Sequence, residues 1–249
     1  MIWIKEFRAQ LPELEDMITC NHAFQQFACR TLPPDLPDCA LFRLQSLARF
    51  CHLGREQSLE FQQGGQQFVF LAGGATKLVA HASQSRDQIV AFYFAGDVFT
   101  VPEPDNYSYS LSALRDGDVL AFPSEEFLAL AGEQPDVLRH LLDNTTLSLR
   151  RCREKTIALG RKTAGERVAV FLLSMAERIG TEQDGRVSLD LPMSRREIAE
   201  SLGLTIETVS RQLTRLKDEG VIATAGRSGV VLRNAARLRS RAGFMRDAA

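Results

Sequence analysis

The sequence predicts an α+β protein with a β-rich N-terminal domain, a long central helix and a winged helix-turn-helix at the C-terminal end. Three observations lead to this prediction: short apolar runs punctuated by glycine up to Pro123, a heptad pattern over 138–159, and two capped helices followed by a hairpin over 194–232. The 249 residues are enough for two ordinary domains.

The β-rich domain is predicted from strand-like runs between about 53 and 123, for example 67–71, 77–81 and 89–94. Glycine pairs such as Gly73-Gly74 separate these runs. Several short strands with turn signals between them indicate a β sandwich or barrel. Residues 1–40 look irregular, with three prolines close together.

The central helix is predicted to begin at Pro135 and carries residues spaced alternately four and three apart. They are Leu138, Leu142, Thr145, Leu149, Cys152, Thr156 and Leu159. So narrow a heptad stripe suits a two-helix interface better than a broad core face. We therefore expect this helix to pair in parallel with that of a second copy; packing against its own domain is the alternative.

The C-terminal helices are predicted from their caps. Ser194 with Glu197 forms a capping box at the start of a short helix. Gly203 permits the left-handed backbone that ends it, and Thr205 caps a second amphipathic helix. This is a helix-turn-helix, and the hairpin predicted over 221–232 makes it winged.

Three residues of the second helix are predicted to read DNA bases: Glu207, Ser210 and Arg211 share one face, at i, i+3 and i+4. Arg pairs bidentately with guanine, Glu accepts from the cytosine amino group, and Ser reaches a base or a phosphate. The residues expected to contact phosphates are Arg195, Arg196, Thr205, Arg215 and Lys217. An ordinary exposed polar face is the alternative.

The charge distribution agrees with a nucleic-acid partner at one end only. From Arg150 onwards there are 20 Lys and Arg against 12 Asp and Glu, and before it 10 against 19. No apolar run could span a bilayer and no signal peptide is recognisable, so we expect a cytoplasmic protein without a membrane partner. The sequence contains no phosphate-binding glycine loop, no HExxH motif and no nucleophile elbow. We therefore do not expect an enzyme.

Over residues 51–234 the chain resembles the CRP/FNR family of bacterial transcription regulators, most strongly over 159–173 and 193–220 and at the 94–97 turn. The resemblance implies a cyclic-nucleotide-binding-like jelly roll, or β-roll, that senses an effector. It also implies a homodimer and contact with RNA polymerase. The segment Ile206-Glu-Thr-Val-Ser-Arg211 is similar to the FNR/FixK subgroup, which implies palindromic TTGAT-like half-sites and an oxygen, redox or related signal.

The resemblance divides the chain into five expected parts. They are a Cys-containing segment at 1–50, a β-roll sensor at 51–134, a dimerisation helix at 135–160, the winged helix-turn-helix at 161–234 and a C-terminal tail at 235–249. The last sixteen residues are basic and polar, and we expect them to fray.

The sensor departs from both known ligand patterns of the family. Tyr107 stands where cyclic-nucleotide binding requires an Arg, beside Ser108, so a cyclic nucleotide is not expected. Cys20 and Cys29 resemble two of the four ligands of an iron–sulfur cluster, but Ala23 and Leu120 occupy the other two positions.

Three alternatives therefore stay open for the sensor. One is an iron–sulfur cluster or metal held in a rearranged site by Cys20, Cys29, Cys39 and Cys51. The second is thiol redox sensing, and the third is cysteines without a sensing role and an unknown effector. A rival interpretation of the whole chain is a signalling or enzyme module whose winged helix serves protein contacts.

Overall fold

A computed structural model describes residues 19–60, 65–81, 87–183 and 185–244. The chain divides into two compact units. The first comprises Met1–Gln84 and Phe92–Leu147, and the second Ser85–Ala91 and Ser148–Ala249. Among the described helices, none combines the length and the apolar character needed to cross a lipid bilayer.

In the described part of the N-terminal half, eight strands form the sheets. Their bounds are β1 (Arg49–Leu53), β2 (Ser58–Glu60), β3 (Gln67–Leu71), β4 (Ala75–His81), β5 (Asp87–Phe94), β6 (Val98–Val101), β7 (Ser108–Arg115) and β8 (Gly117–Pro123). They make two four-stranded sheets, ordered β1-β8-β3-β6 and β2-β7-β4-β5. The predicted strand-rich domain is confirmed, and β5 is shared between the units, its residues up to Ala91 counting with the second.

Every residue of β3 is buried, because its two faces meet different cores. Val69 and Leu71 lie in a core to which both sheets contribute. Phe68 and Phe70 belong to a second core, formed with helices on the outer face of the first sheet. The period-2 alternation of a strand thus becomes a continuous apolar run when both faces are covered.

The covering helices are a helical stretch over 19–31 (α1), Asp38–Leu47 (α2) and Ser124–Gly132 (α3). Phe27 lies at the centre of their core, fully buried. Its ring centroid lies 5.0–6.4 Å from those of Phe24, Phe68, Phe70, Phe122 and Phe127. The expectation that residues 1–40 are irregular is therefore wrong over 19–31 and 38–40, while residues 1–18 lie outside the described part.

The turn from β3 to β4 and the turn from β7 to β8 each pass from one sheet to the other, and they meet backbone to backbone at Gly74 and Gly117. Gly74 has a φ of +80°, a conformation that disfavours any side chain. A Cβ at Gly117 would collide with the carbonyl oxygen of Gly73, and one at Gly74 with that of Asp116. No residue larger than glycine fits this contact without moving the backbone.

Helix α4 (Pro135–Arg161) is continuous over 27 residues and begins at the predicted proline. At 1.5 Å per residue it is about 40 Å long. Its residues up to Leu147 count with the first unit and the remainder with the second.

Within the described residues, the second unit continues with four helices and four strands. They are α5 (Ala164–Ile179), β9 (Thr181–Gln183), β10 (Arg186–Asp190), α6 (Arg195–Leu202), α7 (Ile206–Asp218), β11 (Ile222–Ala225), β12 (Gly229–Leu232) and α8 (Ala235–Arg241). The sheet order is β11-β12-β10-β9. The winged helix-turn-helix is thereby confirmed.

The C-terminal residues differ from the sequence prediction. The tail was expected to fray, yet Ala235–Arg241 form α8, with Leu238 fully buried and α5 as its neighbour. Asn234 caps the helix by accepting a hydrogen bond from the Arg237 amide at 2.8 Å. One buried leucine and a cap hold this short helix in place.

Within the second unit, the first half of β5 contacts two helices. Gln88 Nε2 donates to the carbonyl oxygen of Glu200 on α6 over 2.8 Å. Lys155 Nζ on α4 donates to the carbonyl oxygens of Ile89 and Val90 at 2.8 and 2.7 Å. The Lys155 ammonium group thus donates hydrogen bonds to two carbonyl oxygens of the same strand.

Candidate nucleic-acid interface

Helix α6 begins with the capping box that the sequence predicts. The amide of Glu197 donates to Ser194 Oγ at 3.3 Å, and Glu197 Oε2 accepts from the Ser194 amide at 2.7 Å. Ile198, Ala199 and Leu202 are buried. This fixes the first helix of the motif at its N-terminal end.

The turn between α6 and α7 depends on Gly203, whose φ of 60° and ψ of 43° are left-handed. Thr205 then caps α7, its Oγ1 accepting from the Thr208 amide at 3.2 Å. Both roles agree with the sequence prediction. The cap also determines where the first exposed turn of α7 begins.

Helix α7 has a buried and an exposed face. Val209, Leu213 and Leu216 are buried against the rest of the unit. On the other face Glu207 and Arg211 are exposed and Ser210 is half-buried. The three predicted base-reading residues therefore share one accessible surface near the N-terminal end of the helix.

Hydrogen bonds restrain this surface. Arg195 Nη1 donates to Ser210 Oγ at 3.2 Å, and Arg211 Nη2 donates to Thr208 Oγ1 at 3.4 Å. Hydrogen bonds from its own backbone amide and from the Thr205 hydroxyl hold the pKa of Glu207 below its ordinary value. Glu207 is therefore an anionic hydrogen-bond acceptor at neutral pH.

The predicted phosphate contacts are all exposed, and one of them also takes part in an ion pair. Arg195, Arg196, Thr205 and Lys217 are exposed. Arg215 is exposed as well, but its Nε donates to Glu219 Oε1 at 3.0 Å. Arg215 therefore has an intramolecular partner already.

Sequence reasoning missed a cation on the wing. Arg227 lies in the turn between β11 and β12, next to Gly226 with its φ of 61°, and is exposed. The hairpin that contains this turn was predicted, over 221–232. Arg227 is the one charged residue of the turn, so the sequence alone could have identified it.

The predicted dimer residues, which we call the α4 seam, lie on an uncovered face of α4. The seam comprises Leu138, Leu142, Thr145, Leu149, Cys152, Thr156 and Leu159. All of them are exposed except Leu159, which is half-buried, and Leu142 is 66 % exposed. Leu141 and Ala158, on other faces, are buried. Leu147 and Ile157 are further exposed apolar residues of α4 that lie outside the seam.

The cysteines do not converge. Cys20 and Cys29 stand nine positions apart on α1, which separates their Cα atoms by about 13 Å along the axis. Cys39 is on α2 and Cys51 on β1. Over the described ranges, which contain all five cysteines, no three His, Cys, Asp or Glu side chains form a group that could hold a metal ion. Within one chain these residues do not fit a four-thiolate cluster.

The position at which cyclic-nucleotide binding would need an Arg is also described. Tyr107 is 49 % exposed and immediately precedes β7, whose first residue is Ser108. A phenol carries no positive charge to pair with a cyclic phosphate. The structure supplies no cation at that position.

Comparison with known proteins agrees with this architecture. A Crp-like helix-turn-helix domain matches residues 166–241. The nitrogen fixation regulation protein FixK of Azorhizobium caulinodans is 36 % identical over 178 residues, 71 % of this chain and 72 % of that protein. The transcriptional activator FnrL of Cereibacter sphaeroides is 35 % identical, over 72 % of this chain and 75 % of its own.

Solved structures give the same result. FixK2 from Bradyrhizobium japonicum is 33 % identical with a TM-score of 0.69, over 80 % of this chain and 98 % of its own. A CooA mutant from Carboxydothermus hydrogenoformans, at 19 % identity and a TM-score of 0.70, shares the fold over 84 % of this chain and 92 % of that one. From these relatives and the winged helix-turn-helix, the chain belongs to the CRP/FNR family, as a FixK-like member, and is a DNA-binding transcription regulator rather than an enzyme.

Proposed function

We propose that the protein binds palindromic DNA with TTGAT-like half-sites as a homodimer, and that Glu207, Ser210 and Arg211 read the bases. The observation that carries this proposal is their common accessible face on α7, opposite the buried Val209 and Leu213. The N-terminal turns of the second helix of such motifs enter the major groove.

The chemistry of the three side chains matches the half-site. The Arg211 guanidinium suits the O6 and N7 acceptors of guanine, and the Glu207 carboxylate suits the amino group of the opposite cytosine. Ser210 Oγ, which already accepts from Arg195, completes the surface. Together they read a G·C pair and its neighbours.

Cations around this face contact the phosphates. Arg195, Arg196 and Lys217, with the hydroxyl of Thr205, form the set that orients the protein on the duplex. Arg215 joins them while it holds Glu219. We add Arg227 on the wing, where a cation meets the backbone beside the half-site.

The α4 seam supports the homodimer. A stripe of leucines that is exposed in a single chain is covered when two α4 helices pair in parallel. Pairing gives the complex a two-fold axis, and the palindrome has the same symmetry. Because several relatives are named transcriptional activators, we extend the proposal to activation through contact with RNA polymerase.

The signal we propose is oxygen, redox state or a related input. The separation of Cys20, Cys29, Cys39 and Cys51 favours an input other than a cluster held by those four residues in one chain. Metal content and the visible spectrum after anaerobic purification test this. A stoichiometric iron–sulfur chromophore would contradict it.

A titration with a TTGAT-N4-ATCAA duplex tests the DNA proposal, with a scrambled duplex of equal composition as control. We expect tighter binding to the palindrome in either the reduced or the oxidised protein. Equal affinity for both duplexes in both states would overturn it and favour a winged helix that serves protein contacts.

A further inference from the structure

The C-terminal end of α7 is held by three arginines that meet at Glu219. The Glu219 carboxylate accepts from Arg215 Nε at 3.0 Å and from Arg241 Nη2 at 2.6 Å. The Glu219 carbonyl accepts from Arg237 Nη1 at 3.1 Å. Arg215 belongs to α7, whereas Arg237 and Arg241 belong to α8, so Glu219 joins the two helices.

This ion-pair cluster is shielded more than an ordinary surface pair. The Glu219 side chain is 19 % exposed and that of Arg241 is 40 % exposed. Partial burial raises the pKa of Glu219, but hydrogen bonds and charge from Arg215 and Arg241 outweigh it and lower the pKa overall. Charge-assisted hydrogen bonds of this kind are about twice as strong as neutral ones.

Helix α8 is itself firmly attached. Leu238 is fully buried, and α5 is the neighbour on which α8 packs. At the C-terminal end Lys162 Nζ donates to the carbonyl oxygens of Ala242 and Gly243 at 2.6 and 3.2 Å. A cation at a helix C-terminus also interacts favourably with the helix dipole. The C-terminal end of α8 is thus joined to Lys162, which lies between α4 and α5, and the arginines of α8 reach the end of α7.

We propose that α8 supports the recognition helix through Glu219, which acts as a positioning residue for sequence reading. Base-reading geometry tolerates errors of only about 0.5 Å and 10–20°. Helix α7 is 13 residues long and reads bases with its first turns, so a change of tilt at Glu219 displaces Glu207 and Arg211. The inference rests on the proposed function, because it requires α7 to be the reading helix.

The cluster also orients a phosphate contact. The Arg215 guanidinium donates to Glu219 through Nε rather than through its terminal amino groups. An arginine held by a carboxylate loses less side-chain freedom when it meets a phosphate than a free one does. Glu219 therefore affects base reading through α7 and contact with the DNA phosphates through Arg215.

The test compares Glu219→Gln with Asp218→Asn in the full chain. Asp218 is exposed and adjacent, so both substitutions remove one negative charge at the same end of α7. The wild type first selects a duplex from a random pool. The readout is each variant's affinity for that duplex divided by its affinity for a scrambled duplex of the same composition. We expect Glu219→Gln to lower this ratio about threefold to tenfold, and Asp218→Asn to leave it unchanged.

A second pair of variants separates positioning from charge. Arg241→Gln removes the α8 partner, and Arg239→Gln removes an exposed cation from the same helix. We expect Arg241→Gln to reduce the affinity ratio as much as Glu219→Gln does, and Arg239→Gln to preserve it. The double variant that combines Glu219→Gln with Arg241→Gln should reduce the ratio no further than either substitution alone. Circular dichroism confirms that each variant is folded.

The outcomes distinguish this inference from the proposed function. A wild type that selects no sequence from the pool overturns both. A wild type that selects a palindrome while Glu219→Gln and Asp218→Asn behave alike, or while the losses in the double variant add, overturns the positioning role alone.

Discussion

Arg195 Nη1 donates a hydrogen bond to Ser210 Oγ across 3.2 Å, which joins the first helix of the motif to the proposed reading face of the second. Arg195→Ala should therefore reduce discrimination at the base that Ser210 meets, as well as overall affinity. Arg196→Ala is the matched control, since Arg196 is an exposed neighbour and should lower affinity for all sequences alike. Competition binding with single-base variants of the half-site measures both, and identical profiles would argue against the link.

Arg211→Ala should remove about 1–3 kcal/mol of preference for the guanine of the half-site. Lys217→Ala should instead weaken binding evenly and reduce the slope of log affinity against log salt by about 1. Anisotropy titrations at several salt concentrations separate the two effects. An Arg211 variant that behaves like Lys217→Ala would mean that Arg211 contacts only phosphate.

Replacing Leu142 and Leu149 by Asp should produce monomers, because two charges per helix would be buried at the α4 seam. Leu147→Asp is the control, since Leu147 is exposed on α4 but lies outside the seam. Light scattering after size-exclusion chromatography gives the mass of each variant. A dimer of the double variant would show that the interface is elsewhere.

Stability should rise with pH above 8 because of Lys155. Burial lowers the pKa of Lys155 to about 8, and the Cys152 sulfur acts weakly in the opposite direction. Between pH 8 and 10.5 the unfolded chain holds the proton and the folded chain has released it. Folding is therefore penalised below pH 8, by up to about 3 kcal/mol, and the penalty disappears as the pH approaches 10.5.

Urea unfolding of Lys155→Met against the parent measures this, with Cys152→Ser in both proteins so that the sulfur does not act on the pKa of Lys155. The difference in unfolding free energy should change by the stated amount across this range. A constant difference would mean that Lys155 titrates normally in the folded protein.

The helix-turn-helix was predictable because its signals are local. The capping box at Ser194, the left-handed Gly203 and the Thr205 cap are each determined within four residues, and the structure has all three. The strands were predictable for a similar reason, since glycine turns and β-branched or aromatic runs alternate over short distances.

The features that were missed depend on distant partners. Helix α1 is held mainly by Phe27, whose neighbours lie on β3, β8 and α3. Helix α8 has one fully buried leucine, and the partners of its arginines are far away in sequence. Short amphipathic helices of this kind are stable only through tertiary contacts, which one sequence does not display.

The cysteines show how little spacing alone says about a common site. Four of them lie within 32 residues, and a common metal site was one of the alternatives. The structure places Cys20 and Cys29 at different levels of one helix and Cys51 on a strand. Where the cysteines lie was decided by secondary structure rather than by their spacing.

The back-to-back turns at Gly74 and Gly117 have a consequence for genetics. In a saturation screen for lost gene regulation, substitutions at Gly117 should score as severely as those at Arg211. The two classes would separate only when protein abundance is measured beside promoter output, because the glycine variants deplete the folded pool and the arginine variants leave it intact. A map of regulatory residues drawn from output alone would therefore include glycines whose role is to let two turns pack closely together.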